Sequence, residues 1–137
     1  MSDVRKPGRD APGSGRVAID ETDRLIASDK VEGTAVFDRR GERLGAIRNF
    51  MVDKLTGRVA YAVMSSGSLF GIEERHYPLP WKALTYDTGL GGYVIDLDRD
   101  ALARAPSHSP HETPDWHDRD WGTRIYEYYK VEAYWGL

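Results

Sequence analysis

Short runs of β-forming residues alternate with glycine-containing turns between residues 25 and 97, and this spacing limits the fold more than any other feature of the chain. The turns fall around Gly41, Gly57 and Gly92, and at Gly41 a residue without Cβ can adopt a positive φ at little cost. The runs have the length of strands rather than helices. The pattern predicts a mainly β domain, a small antiparallel barrel of about five to six strands, because closure leaves no strand edge exposed.

Individual runs predict where particular strands lie in this barrel. Residues 58–65 alternate valine and tyrosine with alanine and methionine, so both faces are apolar, as in a central strand covered on both sides. Residues 44–52 alternate only in part, and Arg48 interrupts their apolar face, which predicts a β-bulge nearby. Pro78 and Pro80 predict an edge strand, since proline has no N–H to donate to a neighbouring strand.

Composition divides the chain into three parts. Residues 1–22 are rich in glycine, proline, serine and aspartate, and we expect a disordered tail, because so few apolar residues cannot offset the entropy of ordering. The barrel is expected over residues 23–106. Residues 107–137 are expected to form a linker and an aromatic helix over about 118–130, although Gly122 inside that helix costs about 1 kcal/mol relative to alanine.

Charge and composition exclude several classes of function. The net charge is −3, and the lysines and arginines are not clustered, so we expect no DNA partner. The chain has no cysteine, and therefore no disulfide and no thiolate chemistry. No apolar run reaches the length of a membrane span or the pattern of a signal peptide, so we expect a cytoplasmic protein.

Six segments of the sequence resemble the PRC-barrel family. They are VEGTAVFD at 31–38, GERLG at 41–45, MVDK at 51–54, TGRVAYAV at 56–63, HYPLPW at 76–81 and GYV at 92–94. The resemblance covers roughly residues 23–106. It is closest to small stand-alone bacterial members with an aromatic C-terminal tail, for which it implies the barrel fold but no activity.

Two better known proteins carry a similar barrel, and each suggests a partner. The cytoplasmic barrel of the photosynthetic reaction centre H subunit implies a membrane complex and a place peripheral to the inner membrane. The C-terminal barrel of a ribosome maturation factor implies a ribosomal or RNA-associated role. This chain shows neither the transmembrane helix of the first nor the additional N-terminal domain of the second, so each partner is an expectation from resemblance alone.

The residues that most often carry chemistry form no specific catalytic, metal or cofactor motif. His108, His111 and His117 lie among carboxylates, but in a linker without metal-ligand spacing, which favours a solvated loop. Asp53 opens a hairpin and is expected to bond the turn. His76 is expected to be a hydrogen-bonded structural histidine. We therefore expect no enzyme activity, no catalytic residue, no metal and no cofactor.

Two apolar segments are candidate partner-binding surfaces. One is the tip of a glycine-rich loop, and the other is the aromatic C-terminal stretch. Each has an alternative interpretation, in which the side chains fold back over the chain's own barrel. The candidate residues are Leu69, Phe70, Ile72, Trp121, Tyr126, Tyr129 and Trp135.

The first functional hypothesis is therefore a non-catalytic interaction or assembly module that binds a second copy of itself, as a homodimer, or another protein. The alternative is a small-ligand-binding or enzymatic barrel that uses its mouth near His76, Trp81 and Asp53, although small barrels are filled by side chains. The second alternative is a ribosome- or RNA-associated factor.

Overall fold

The computed structural model describes residues 25–67 and 73–135. The expected disordered tail, residues 1–22, lies outside them, as do the loop-tip candidates Leu69, Phe70 and Ile72. Residues 25–31 belong to one compact unit and contain the single-turn helix α1 (Ser28–Val31). Residues 32–135 belong to a second unit, which contains the sheet and the remaining helices.

Six strands form one mixed sheet in the order β4-β3-β2-β1-β6-β5. Neighbours pair antiparallel except for β1 and β6, which run parallel, with Val36 beside Tyr93. The expectation of a purely antiparallel sheet is therefore wrong. The strands are β1 (Ala35–Phe37), β2 (Arg43–Val52), β3 (Val59–Ser65), β4 (His76–Pro80), β5 (Leu84–Asp87) and β6 (Gly92–Ile95).

The sheet is an open half-barrel, because β4 and β5 lie at its two ends and do not pair with each other. The N–H of His76 points away from β3 and donates to the carbonyl oxygen of His108. Pro78 and Pro80 follow at intervals of two, so their nitrogens face the same outer side, where they have no hydrogen to donate. The outer edge of β4 therefore lacks the donors that closure would need, and the expected closed barrel does not form.

Turn chemistry sets two hairpins at the predicted places, whereas the third predicted turn, residues 86–92, is shorter, because Asp87 ends β5 and Gly92 begins β6. The carboxylate of Asp38 accepts from the backbone N–H groups of Arg40 and Glu42, and Gly41 has a φ of +85°. Asp53 accepts from the N–H of Leu55, which confirms its structural role in the turn. In β2 the register against β3 shifts between Ile47 and Asn49, so the bulge predicted at Arg48 is confirmed.

Two helices and a 3-10 turn complete the described structure. Trp81–Ala83 form the single helical turn between β4 and β5. Helix α2 (Arg99–Ala103) begins after Asp98, whose side chain accepts from the N–H of Ala101. Helix α3 (Arg119–Tyr129) confirms the predicted aromatic helix and ends where Lys130 turns into the left-handed region at a φ of 59°.

The core lies around β3, all of whose central residues are buried, as the double-sided apolar pattern predicted. Leu44 and Ile47 of β2, Leu79 of β4 and Ile125 of α3 are fully buried as well. Gly45 allows β2 to approach β3 closely, because a Cβ there would lie 2.3 Å from the carbonyl oxygen of Ser65. The position and spacing of these strands thus decide where the C-terminal segment can pack.

Candidate functional site

The aromatic C-terminal segment packs on β3 of its own chain. Tyr61 is the centre of this contact, with ring centroids 5.4 Å from Trp116, 5.3 Å from Tyr126 and 6.2 Å from Tyr134. Trp121 and Trp135 extend the group at either side. We call these side chains the tail aromatic cluster: Tyr61, Trp116, Trp121, Tyr126, Tyr134 and Trp135.

Two phenols of this cluster are buried and stay neutral near pH 7. Burial, with a smaller contribution from the nearby Tyr134, raises the pKa of Tyr61 to about 12. Burial also raises the pKa of Tyr126, whose hydroxyl donates a 2.7 Å hydrogen bond to the carbonyl oxygen of Ala60. A neutral hydroxyl that donates to a backbone carbonyl fixes a helix on a sheet, and it offers no base or nucleophile.

The four tail residues predicted to bind a partner differ in how much surface they leave free. Tyr126 and Tyr129 are buried against their own chain, and Tyr129 has a hydroxyl without a hydrogen-bond partner among the described residues. Trp121 and Trp135 are half-buried. The guanidinium of Arg119 lies 4.4 Å from the centre of the Trp135 ring, a cation–π contact. Trp121 therefore retains exposed surface that a partner could contact, and it lines a cleft.

A group of polar side chains surrounds His76, the first residue of β4. His76 and His108 exchange two backbone hydrogen bonds of 2.8 and 2.9 Å, and their rings meet edge to face at 5.4 Å. The carboxylate of Glu74 accepts from the Ser65 hydroxyl and lies 3.2 Å from Nε2 of His76. Burial lowers the pKa of His76, and the bond to Glu74 opposes that shift.

The structure does not bring the three residues of the expected barrel mouth together. His76 pairs with Ser65 at one end of β3, whereas Asp53 follows Val52, which pairs with Val59 at the other end. Trp81 follows the far end of β4 from His76. At about 3.3 Å per residue, a strand of this length separates the two ends by roughly 20 Å. Within residues 25–67 and 73–135, no group of three or more histidines and carboxylates could hold a metal ion.

The outer edge of β5 is a surface that the sequence pattern did not reveal, because Tyr86 and Asp87 read as the start of a glycine-rich turn. Tyr86 is 44% exposed and Leu90, in the following turn, is 41% exposed. Tyr86 is also the end of a row of ring contacts that runs through Tyr93 and Trp81 to Phe50. β-branched and aromatic residues at 85 and 86 were the available signal for this strand.

Comparisons with known proteins agree with the fold. A family model described as PRC-barrel domain matches residues 23–102, which is more than half of the chain. No curated protein matches the chain significantly. In the part of the chain that the structure describes, no helix has the length and hydropathy needed to cross a membrane.

Proposed function

The chain belongs to the PRC-barrel family, and from that premise we propose that this member is a non-catalytic interaction module that self-associates through the outer edge of β5. The observation that carries the proposal is the difference between the two ends of the sheet. β5 pairs with β6 on one side only. An edge of this kind can pair with a strand of another chain.

The opposite end of the sheet is protected against such pairing. Pro78 and Pro80 remove two outward donors from β4, and the backbone of His108 occupies the position beside His76. β5 has no proline and no lysine, and among the described residues no strand pairs with its outer edge. The outer edge of β5 is thus unpaired among the described strands, whereas the outer edge of β4 lacks donors at two prolines and is bridged at His76, and this difference supports the proposal.

A second copy of the chain is the partner that suits this edge. Two β5 strands can pair antiparallel about a two-fold axis, which joins two half-barrels into one continuous sheet. Tyr86 supplies a large, partly exposed ring at that axis, and its contact with Tyr93 holds it in place. A four-residue edge makes few hydrogen bonds, so we expect a weak dimer with a dissociation constant of about 1–100 μM.

Sedimentation equilibrium of the full chain tests this proposal between about 5 and about 500 μM. We expect a monomer–dimer equilibrium that Tyr86→Lys shifts to monomer, because an edge lysine opposes strand pairing. The matched control is Leu55→Lys, which places the same charge on a side chain that is 96% exposed in the β2–β3 hairpin. A wild-type chain that stays monomeric throughout would refute self-association. Equal loss of the dimer in both variants would refute the assignment to β5.

A further inference from the structure

An open cleft lies between helix α3 and the segment that follows helix α2. Its volume is about 640 Å³, within the range of ligand-binding clefts. The side chains that matter for its chemistry are Arg104, Ser107, Trp121, Arg124, Glu127 and Tyr128. We call it the Arg104–Arg124 cleft.

The two arginines of this cleft have no ion-pair partner among the described residues. Arg104 and Arg124 are both exposed, and neither forms an ion pair with any residue in 25–67 or 73–135. Arg75 is not a lining residue of the cleft, but its Nε donates a 3.0 Å hydrogen bond to the hydroxyl of Ser107, which lines it. Glu127 is the one carboxylate that lines the cleft. This local excess of positive charge lies on a chain whose net charge is −3.

The neighbouring cleft is acidic, and its carboxylates already accept hydrogen bonds from the backbone. It shares Ser107 and Trp121 with the first, but is lined by three carboxylates. Each of these accepts a backbone N–H: Glu112 from Ser109, Asp115 from His117, and Asp118 from the first turn of α3. The carboxylates on one side of Trp121 therefore stabilise turns, whereas the two arginines on its other side have no ion-pair partner among the described residues.

The walls of the Arg104–Arg124 cleft are aromatic and held in place. Trp121 is half-buried, with ring centroids 5.4 Å from Trp116 and 6.4 Å from His108. The hydroxyl of Tyr128 donates to the carbonyl oxygen of Ala101, which ties α3 to α2. Fixed rings beside two guanidinium groups suit a ligand that carries carboxylates and an apolar side chain together.

We propose that the Arg104–Arg124 cleft binds an acidic peptide segment of a partner protein. Its carboxylates bind the two guanidinium groups in the paired geometry that arginine and carboxylate favour, and an apolar side chain of the peptide packs on Trp121. Glu127 limits the affinity, because it repels the same carboxylates. No residue that lines this cleft belongs to β5, so the site does not share residues with the proposed dimer edge.

Fluorescence anisotropy with a labelled peptide tests the site. The probe is fluorescein-labelled Asp-Glu-Asp-Phe-Asp-Glu, and its matched control has Asn and Gln in place of every Asp and Glu. We expect saturable binding of the acidic probe by the full chain and none of the neutral control. Arg104→Gln and Arg124→Gln should each weaken binding about tenfold, and Glu127→Gln should strengthen it.

Three controls decide whether the site is the one described. Arg58→Gln removes an exposed arginine outside the cleft and should leave the affinity unchanged. Tyr86→Lys should bind the probe as the wild type does, so failure here and failure of self-association are separate results. The proposal is overturned if the acidic probe does not bind, if Arg58→Gln weakens binding as much as Arg124→Gln, or if replacing Phe in the probe by Ser has no effect while inorganic phosphate displaces it.

Discussion

The hydroxyl of Tyr126 on helix α3 donates a 2.7 Å hydrogen bond to the carbonyl oxygen of Ala60 on β3. Both residues are buried, and Tyr126 is only 4% exposed. A buried carbonyl without a donor costs more than the bond itself contributes. The contact therefore fixes both the position and the rotation of the C-terminal helix on the sheet.

Tyr126→Phe tests this bond without changing the packing of the ring. We expect the free energy of unfolding to fall by about 1–2 kcal/mol, because the carbonyl of Ala60 loses its buried donor. Urea denaturation followed by circular dichroism measures the change. Tyr86→Phe removes a hydroxyl from a partly exposed ring and should alter the stability by less than about 0.5 kcal/mol. Equal effects in the two variants would contradict the assigned role.

Gly122→Ala is expected to destabilise the protein, although alanine favours a helix by about 1 kcal/mol over glycine. A Cβ at this position would lie 3.0 Å from the Trp135 ring and 3.1 Å from the Tyr61 hydroxyl, so the tail aromatic cluster would have to shift. Thr123→Ala, on the exposed side of the same helix, should be neutral or slightly stabilising. Thermal unfolding of the two variants checks the prediction, and a higher Tm for Gly122→Ala would contradict it.

Gly45→Ala is expected to cost more than substitutions at turn glycines. The new Cβ would meet the backbone carbonyl of Ser65 at 2.3 Å, and neither strand can relieve that contact by rotating a side chain. We expect a loss of about 3 kcal/mol or more. Gly57→Ala is the comparison: it has a φ of +77° but nothing within 4 Å of the new Cβ, and it should cost about 1–2 kcal/mol. Equal denaturation midpoints for Gly45→Ala and Gly57→Ala would contradict the prediction that Gly45→Ala costs more.

Stability is expected to decrease on mild acidification because of His76. Burial lowers the pKa of His76 from 6.5 in the folded chain, so the unfolded chain binds a proton more readily. The stabilisation is complete above pH 6.5 and is lost as the pH falls from 6.5 through the lower folded pKa. The charged and titratable groups around the ring are Glu74, Arg48 and His108, and none of them reverses this direction.

Nuclear magnetic resonance titration of the histidine ring protons measures this effect in the intact chain. The pKa of His76 read from its resonances should lie below 6.5, the ordinary value for a histidine. His76→Asn should flatten the dependence of unfolding free energy on pH between about 5 and 7. A His76 resonance that titrates above 6.5 would show that the assigned shift is wrong.

Local rules predicted those parts of the fold that depend on neighbouring residues in the chain. The turns at Gly41 and Gly57, the double-sided strand around Tyr61 and the bulge at Arg48 all follow from alternation and turn chemistry. The edge position of β4 follows from Pro78 and its missing donor. Each of these features is decided within about ten residues.

Features that depend on distant residues could not be predicted in this way. Alternation does not encode strand direction, so the parallel pairing of Val36 with Tyr93 was missed. β5 was not predicted, because it has only four residues and a glycine-rich sequence follows it. The aromatic tail could be predicted as a helix, but only the structure shows that Tyr126 packs on its own β3. The approach of Arg104 and Arg124 to one cleft likewise depends on how α3 docks.

The parallel pairing of β1 with β6 also divides the sheet into two groups of strands. On one side lie β2, β3 and β4, with helix α3 packed against β4. On the other side lies the β5–β6 hairpin, joined to the rest of the sheet through β1, which has three residues. We therefore expect the amide hydrogens of the hairpin to exchange as one group and faster than those of β3, which hydrogen exchange would measure.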